Sequence, residues 1–543
     1  MTSAPLLAFG AALIAIIWTL FQGYLVKSPL DNIPGPERSS FWLGNHGDIF
    51  NRHAWNFHDR ARQLFGPVFR FWGPFASRGL FVYDPKALNS IIVKDQLIYE
   101  ESRWFISWNK YAFGLGLLST LGEHHRKQRK LLNPVFSINH MRHMAPIFYQ
   151  TTHRLRTAIT AELEASSADV DVLNWMGRLA LELIGQGGLG YSFDTLVAHT
   201  HNEFGDAIKG YVPAILNVII LRNIIYPYMD EYIPAKVRRF ILDILPFRSV
   251  RRIQKIIDDM HSHSRRIFNE KKAALEKGDG AVLHQVGEGK DIMSILLKAN
   301  MEASDEDRLP EDELIGQMTT LVFAATDTTS NALSRILELL AKNQDVQDKM
   351  RTELIAASPD GEDIPYDTLV ALPYMDAVCR ETLRLHPPVN MMSRETREDV
   401  MMPLSEPIQG VNGETISEIF VPKDTSVIVS IRACNRNKAI WGEDADEWKP
   451  ERWLSPLPEA VGNAHVPGVY SHLMTFLGGG RACIGFKFSQ LEMKVVLAVM
   501  LRTFKFFPGK NEIYWNMGGV NYPTAGKDSN KACMYLRLER IAS

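Results

Sequence analysis

The stretch "FLGGGRACIGFKFSQLE", Phe476 to Glu492, constrains the fold more than any other part of the chain. Gly478, Gly479 and Gly480 let a backbone turn tightly and come close to a flat partner. A single thiol, Cys483, follows, and Gly485 lets the chain leave it for an apolar helical pattern over Phe488–Thr503. The start of that helix lies beside the sulfur, where its dipole and free amide N–H groups favour a thiolate. A thiolate with one open face is a metal ligand or a nucleophile. A nucleophile needs a base, and the neighbouring sequence offers only Arg481 and Lys487. A lone cysteine is ordinarily a small buried residue at a turn. The spacing Phe-x-x-Gly-x-Arg-x-Cys-x-Gly, on Phe476, Gly479, Arg481, Cys483 and Gly485, is too specific for that.

The remaining thiols, Cys379, Cys434 and Cys533, are far apart and form no Cys-x-x-Cys pair, which argues against a zinc site or a disulfide framework. Around the loop the pattern is mainly α with a minor β part. "GPVFRFWGPFASRGLFVYDP" alternates as strands. From about Pro85 to Arg384 helical periodicity dominates, and after His386 short strands and proline-rich coil take over, with a last strand near "ACMYLRLER". Gly278 to Asp291 reads as the clearest loop. With 46% hydrophobic and 22% charged residues the 543-residue chain is globular, and its net charge of −2 gives no ground for nucleic-acid binding.

Ala4 to Val26 is apolar except for Thr19 and Gln22, close to the ~20 residues that cross a bilayer. It lacks the basic start and cleavage site of a signal peptide. Lys27, Arg38 and Arg52 follow it and no Lys or Arg precedes it, which keeps the body on the cytosolic side. The absence of any Asn-x-Ser/Thr acceptor agrees with that. The expected organisation is a single transmembrane helix over residues 1–26, a proline-rich connector over 27–45 carrying Pro34, Gly35 and Pro36, and one body over 46–543.

Two more motifs carry information. "AATDTTS", Ala324 to Ser330, is a polar run inside a long apolar helical pattern, where it costs propensity. On these residues alone, a helix N-cap and a functional interruption stand level. "ETLRLHPP" puts Glu381 and Arg384 three apart on one helix face, as ordinary surface ion pairs often are, and "EWKPERW" supplies Arg452.

The cysteine loop resembles the haem-binding loop of the cytochrome P-450 superfamily at every defining position, and other landmarks of that family follow in order along essentially the whole chain. The resemblance implies the cytochrome P-450 fold, with haem b as cofactor and Cys483 as its metal ligand, within a loop that includes Phe476, Gly479, Arg481 and Gly485. "AATDTTS" is similar to the family's oxygen-binding segment. Thr328 takes the place of the hydroxyl that helps deliver protons and Asp327 that of the acid before it, while Ala325 stands where glycine is more usual. Glu381, Arg384 and Arg452 match a structural triad behind the haem. Arg129, Arg394 and Arg481 match cationic partners of the haem propionates, and His125 replaces a tryptophan beside them. Arg126, Lys127 and Lys130 are left as an exposed basic patch able to dock an acidic redox partner.

The implied activity is a monooxygenase that inserts one atom of dioxygen into an apolar small molecule. The chain has no dinucleotide fingerprint and no iron–sulfur cysteine cluster, so it looks like the family type that takes NADPH electrons from a separate membrane-bound NADPH-cytochrome reductase, with a cytochrome b5-type donor as a second source. The texture is most like fungal microsomal members, which places the chain at the endoplasmic reticulum membrane. Segments expected to line the distal pocket, Phe113–Ser119, Met318–Phe323 and Val389–Met392, are aliphatic and rich in methionine. A terpenoid or other secondary metabolite fits them, and a fatty acid or aromatic xenobiotic fits almost as well. Two rivals are a haem-thiolate isomerase or dehydratase acting on a peroxide, which Thr328 and Asp327 argue against, and a non-catalytic haem sensor, for which no output domain is visible.

Overall fold

The computed structural model describes Trp18 and residues 21–166, 169–194, 196, 203–277 and 289–541. Its axis is one helix, Glu311–Lys342, whose first turn carries Glu311, Asp312 and Glu313 and whose last turn carries Lys342, each sign at the end the helix dipole favours. Leu314, Met318, Leu321, Ala332 and Ile336 are buried along it. The helices Val172–Leu183, Arg248–Glu276 and Phe486–Thr503 pack against it. "AATDTTS" lies in the middle of this helix, so the N-cap alternative is overturned.

The largest part of the minor β structure among the described residues is a five-stranded sheet. The expected strands form the antiparallel hairpin Val68–Trp72 and Arg78–Val82, with Phe69 stacked on its partner Phe81 at 4.7 Å between ring centres. Ser426–Ser430 pairs parallel to the second hairpin strand, followed by Met391–Thr396 and Tyr99–Glu101. A parallel pair needs a long crossover, here most of the helical body. The last helix spans Phe486–Thr503, and the final strand, Tyr535–Arg540, pairs with Phe504–Pro508.

Most of the expected anchor, and residues 278–288 of the expected loop, lie outside the described residues. Among the described residues no helix is long and apolar enough to cross a membrane. Phe21–Leu25 is helical and touches the hairpin, where the Gly23 carbonyl accepts from the Arg78 guanidinium. Residues 27–45 lie along the first strand. Leu30 and Ile33 are buried, the Pro34 carbonyl accepts from the Arg70 amide at 2.8 Å, and the Asn45 amide donates to Trp72 O at 2.7 Å. A Cβ on Gly35 would stand 1.8 Å from Arg70 O, so this strap fits only with glycine there.

Candidate active site

The cysteine loop is held by close backbone approaches. Gly479 has φ +61°, and a Cβ on it would lie 2.0 Å from Ile92 O; one on Gly478 would lie 1.5 Å from Pro467 O. The Gly480 amide donates to the Gln96 side chain at 2.8 Å, and the Cys483 amide to Phe476 O at 2.8 Å. The Phe476 ring packs between Tyr470 and Phe486. Gly485 departs from the sequence reading. Its φ of −88° suits any residue and a Cβ there meets only Phe136 at 3.8 Å, so the turn into the helix does not itself demand glycine.

Cys483 is exposed, yet protein surrounds it closely enough that burial raises its thiol pKa, against the opposing pull of the Gly485 amide and the Arg129 charge. The thiol therefore faces an interior hollow. Burial thus works against the helix terminus and the Arg129 charge at the sulfur, and a bound metal ion would be the group that favours the thiolate. Cys379 and Cys434 are buried and pushed up to about 12, which leaves them inert.

The central helix borders a hollow too. Ala324 is exposed and Phe323, Ala325, Asp327 and Thr328 are half-buried, although the turns on either side are buried. Thr328 Oγ1 donates to Ala324 O at 2.7 Å, and Asp327 O accepts from Asn331 Nδ2 at 2.8 Å. Thr329 Oγ1 donates to Ser489 Oγ at 3.1 Å, tying this turn to the helix that follows Cys483. Met318 to Val322 are buried, while Phe323 stacks on Phe113 at 4.4 Å.

Four predicted residues converge beside the loop. Arg129 Nη1 donates to Ala482 O at 2.6 Å. Arg481 Nη2 reaches Thr120 O at 2.8 Å and Glu100 at 3.4 Å, and Arg394 Nη1 reaches Glu101 at 2.8 Å. His125 is buried next to Arg481 and Arg129; burial first, then those charges, hold its pKa down to about 3, so it is neutral. Arg394 is buried, and its Nη2 has no partner among the described residues. Glu100 and Glu101 escaped the sequence reading. Of the basic patch, Arg126 faces Glu123 at 3.5 Å, Lys130 faces Asp307 at 3.2 Å, and Lys127 donates to Arg308 O at 3.1 Å, so its charge is partly answered from within the chain.

The expected triad forms. Arg384 donates twice to Glu381, at 2.8 and 2.9 Å, and Arg452 Nε reaches the same carboxylate at 3.4 Å. Arg384 also donates to Asn435 O, and the Asn435 side chain holds Met474 N and Thr475 Oγ1 just before the cysteine loop.

The sequence profile of the cytochrome P-450 family matches residues 34–517. The chain belongs to the cytochrome P-450 family. It is 54% identical to cytochrome P-450 monooxygenase 91 of Postia placenta over 97% of both chains. It is 49% identical to monooxygenase 219 of the same fungus over 99% of both, and 48% identical to a ganoderic acid synthetase of Ganoderma lucidum over 97% of both. This cytochrome P-450 is therefore a haem-thiolate oxidoreductase of the monooxygenase class, and the family's cofactor is haem on a cysteine thiolate, reduced through a reductase. Its residues fit that group: a thiol facing a hollow, an exposed turn on the central helix, and a buried guanidinium whose Nη2 has no partner among the described residues and suits a propionate.

Proposed function

We propose that this cytochrome P-450 is a membrane-bound hydroxylase of an apolar small molecule, a terpenoid or other secondary metabolite, with Cys483 as the haem ligand. The observation that carries the site assignment is that Cys483 alone among the four cysteines is exposed. When bound, haem supplies dioxygen reduction and transfer of one oxygen atom to substrate. Arg129, Arg394 and Arg481 would hold its propionates, with neutral His125 donating a hydrogen bond beside them. Phe476 and Gly479 shape the loop, Gly485 donates its amide to the sulfur, and Ala325 leaves the helix face low. Thr328, swinging from Ala324 O, holds water or the substrate oxygen while Asp327 relays protons.

The aromatic wall of Phe113 and Phe323 and the half-buried Val389, Met391 and Met392 support an apolar substrate. The relative named a ganoderic acid synthetase supports secondary metabolism. The apolar run before the packed Phe21–Leu25 turn, shorter than the 1–26 span expected from sequence, supports one N-terminal membrane helix at the endoplasmic reticulum, with the body cytosolic and electrons from an NADPH-cytochrome reductase or a cytochrome b5-type donor. The test is expression in yeast microsomes with a reductase and untargeted product analysis over terpenes, fatty acids and aromatics. NADPH-dependent hydroxylation of a terpene is expected; product formed from a peroxide without NADPH would favour the isomerase. Removal of residues 1–20, which spares the packed Phe21–Leu25 turn, is expected to release the protein from membranes with its haem retained.

A further inference from the structure

We infer that Arg222 is a substrate-binding residue that takes a carboxylate carried by an otherwise apolar substrate, at the end of the distal pocket remote from Cys483. The inference rests on the pocket proposed above and gives its substrate a polar end.

Arg222 lies in the turn Leu221–Ile225, between the helices Glu203–Leu216 and Tyr226–Tyr232. Its guanidinium stands over Trp104, 4.7 Å from the ring centre. Among the described residues its one side-chain hydrogen bond runs from Nε to Asn223 Oδ1, at 2.6 Å. That partner is a neutral amide, so the charge has no carboxylate among the described residues. The contrast with its neighbours is direct: Arg103 pairs with Glu395 and Asp424, Lys110 and Arg238 with Asp230, and Arg239 with Asp243 and Asp258. Arg222 is half-buried, and burial lowers its pKa to about 10, so the group is partly desolvated yet still charged at neutral pH. A partly desolvated cation without a counter-ion is costly to keep, and a ligand that supplies the anion recovers that cost on binding.

The surroundings say what else the ligand carries. The charge of Arg222 acts on Tyr211, whose hydroxyl accepts from Trp108 Nε1 at 2.9 Å. The Tyr211 ring packs on Phe113 and on Phe323, each at 5.2 Å. Phe323 immediately precedes the exposed Ala324 of the central helix. An aromatic wall thus runs from Tyr211, which feels the Arg222 charge, to Phe323, one turn before Asp327 on the central helix. An arginine fork suits a carboxylate in two-point contact, and the wall suits a hydrocarbon body. A carboxylate held there would leave the far end of the body toward the Phe323–Asp327 turn of the central helix.

The experiment compares matched acids and methyl esters on the full-length protein: abietic acid with methyl abietate, and palmitic acid with methyl palmitate. Affinities are read by equilibrium dialysis and, in parallel, by the substrate-induced Soret shift. In the wild type at least one acid is expected to bind roughly tenfold or more tighter than its ester. Arg222→Gln should bring that ratio to within about twofold with ester binding unchanged, and Arg222→Lys should keep part of the preference. Equal binding of acid and ester, binding of neither member of both pairs, or a preference that survives Arg222→Gln overturns the inference. Failure of the haem-thiolate reading shows separately, as loss of the long-wavelength Soret band of the reduced carbon monoxide complex, and dialysis reads the acid preference regardless of it.

Discussion

Replacing Glu381 by alanine removes a carboxylate that is fully buried and accepts five hydrogen bonds. Two come from Arg384, and one each from the Lys449 amide at 3.0 Å, Trp453 Nε1 at 3.0 Å and Arg452 Nε at 3.4 Å. The two cations fare differently. Arg452 keeps Asp444 at 2.8 Å and so remains paired. Arg384 keeps only neutral acceptors, the carbonyls of Asn435, Ala445 and Glu447. One buried cation is left without a counter-charge, and breaking a buried pair in this way costs about 3–5 kcal/mol. The surviving carbonyls place the expected loss near the lower end, roughly 3 kcal/mol or a 10²-fold fall in the folded-to-unfolded ratio. Urea unfolding followed by far-ultraviolet circular dichroism reads the loss, and the carbon monoxide band reads haem retention. Glu381→Leu combined with Arg384→Met should be less destabilised than Glu381→Ala, since both charges leave together. A loss in Glu381→Ala below about 1 kcal/mol, the range of an exposed pair, would refute the argument.

Thr328→Ala should keep haem and substrate affinity but lower the ratio of hydroxylated product to NADPH oxidised, with hydrogen peroxide rising in step; acid–base assistance of this kind is typically worth ~10²–10⁴-fold in rate. An unchanged ratio would remove Thr328 from proton delivery. Cys483→Ser should abolish the long-wavelength carbon monoxide band while Cys434→Ser keeps it, and the reverse result would reassign the ligand. Burial holds His46 and His58 down to about 4 from an ordinary 6.5, so below pH 6.5 the unfolded chain binds protons that the folded chain refuses. Stability should therefore fall as pH drops from about 6.5 to 4, by up to about 1.4 kcal/mol per pH unit for each histidine, and His58→Gln should flatten the slope measured by urea unfolding.

What could be read from the sequence was local. The helix beginning at Phe486, the hairpin around Gly79, the central helix and the Glu381–Arg384 pair all depend on neighbours within a few turns. Glu100 and Glu101 could not be read. They look like ordinary surface acids until Tyr99–Glu101 joins Met391–Thr396, which brings Arg394 to Glu101 across 293 positions of chain. The strand order failed to show for the same reason. "AATDTTS" was ambiguous because threonine and aspartate suit both a cap and a tolerated interruption; only burial on both sides of it decides. Gly485 was over-read: the motif demands it, whereas the backbone there is ordinary.

The strap from Ser28 to Asn45 has a mechanical consequence. Its carbonyls and amides are pinned to the first strand, Asp31 is clasped by Arg78, and the same arginine holds Gly23. A lipid-embedded leader ending near residue 20 would thus join the body with almost no slack. The globular part would then have a preset bearing toward the bilayer rather than swinging on a leash, and a reductase diffusing in the same membrane would meet the Arg126–Lys130 face at a fixed height. Inserting a flexible glycine–serine spacer after residue 20, ahead of the pinned Phe21–Leu25 turn, would add reach there while loosening that alignment, so electron transfer in the membrane would feel a change made far from the haem.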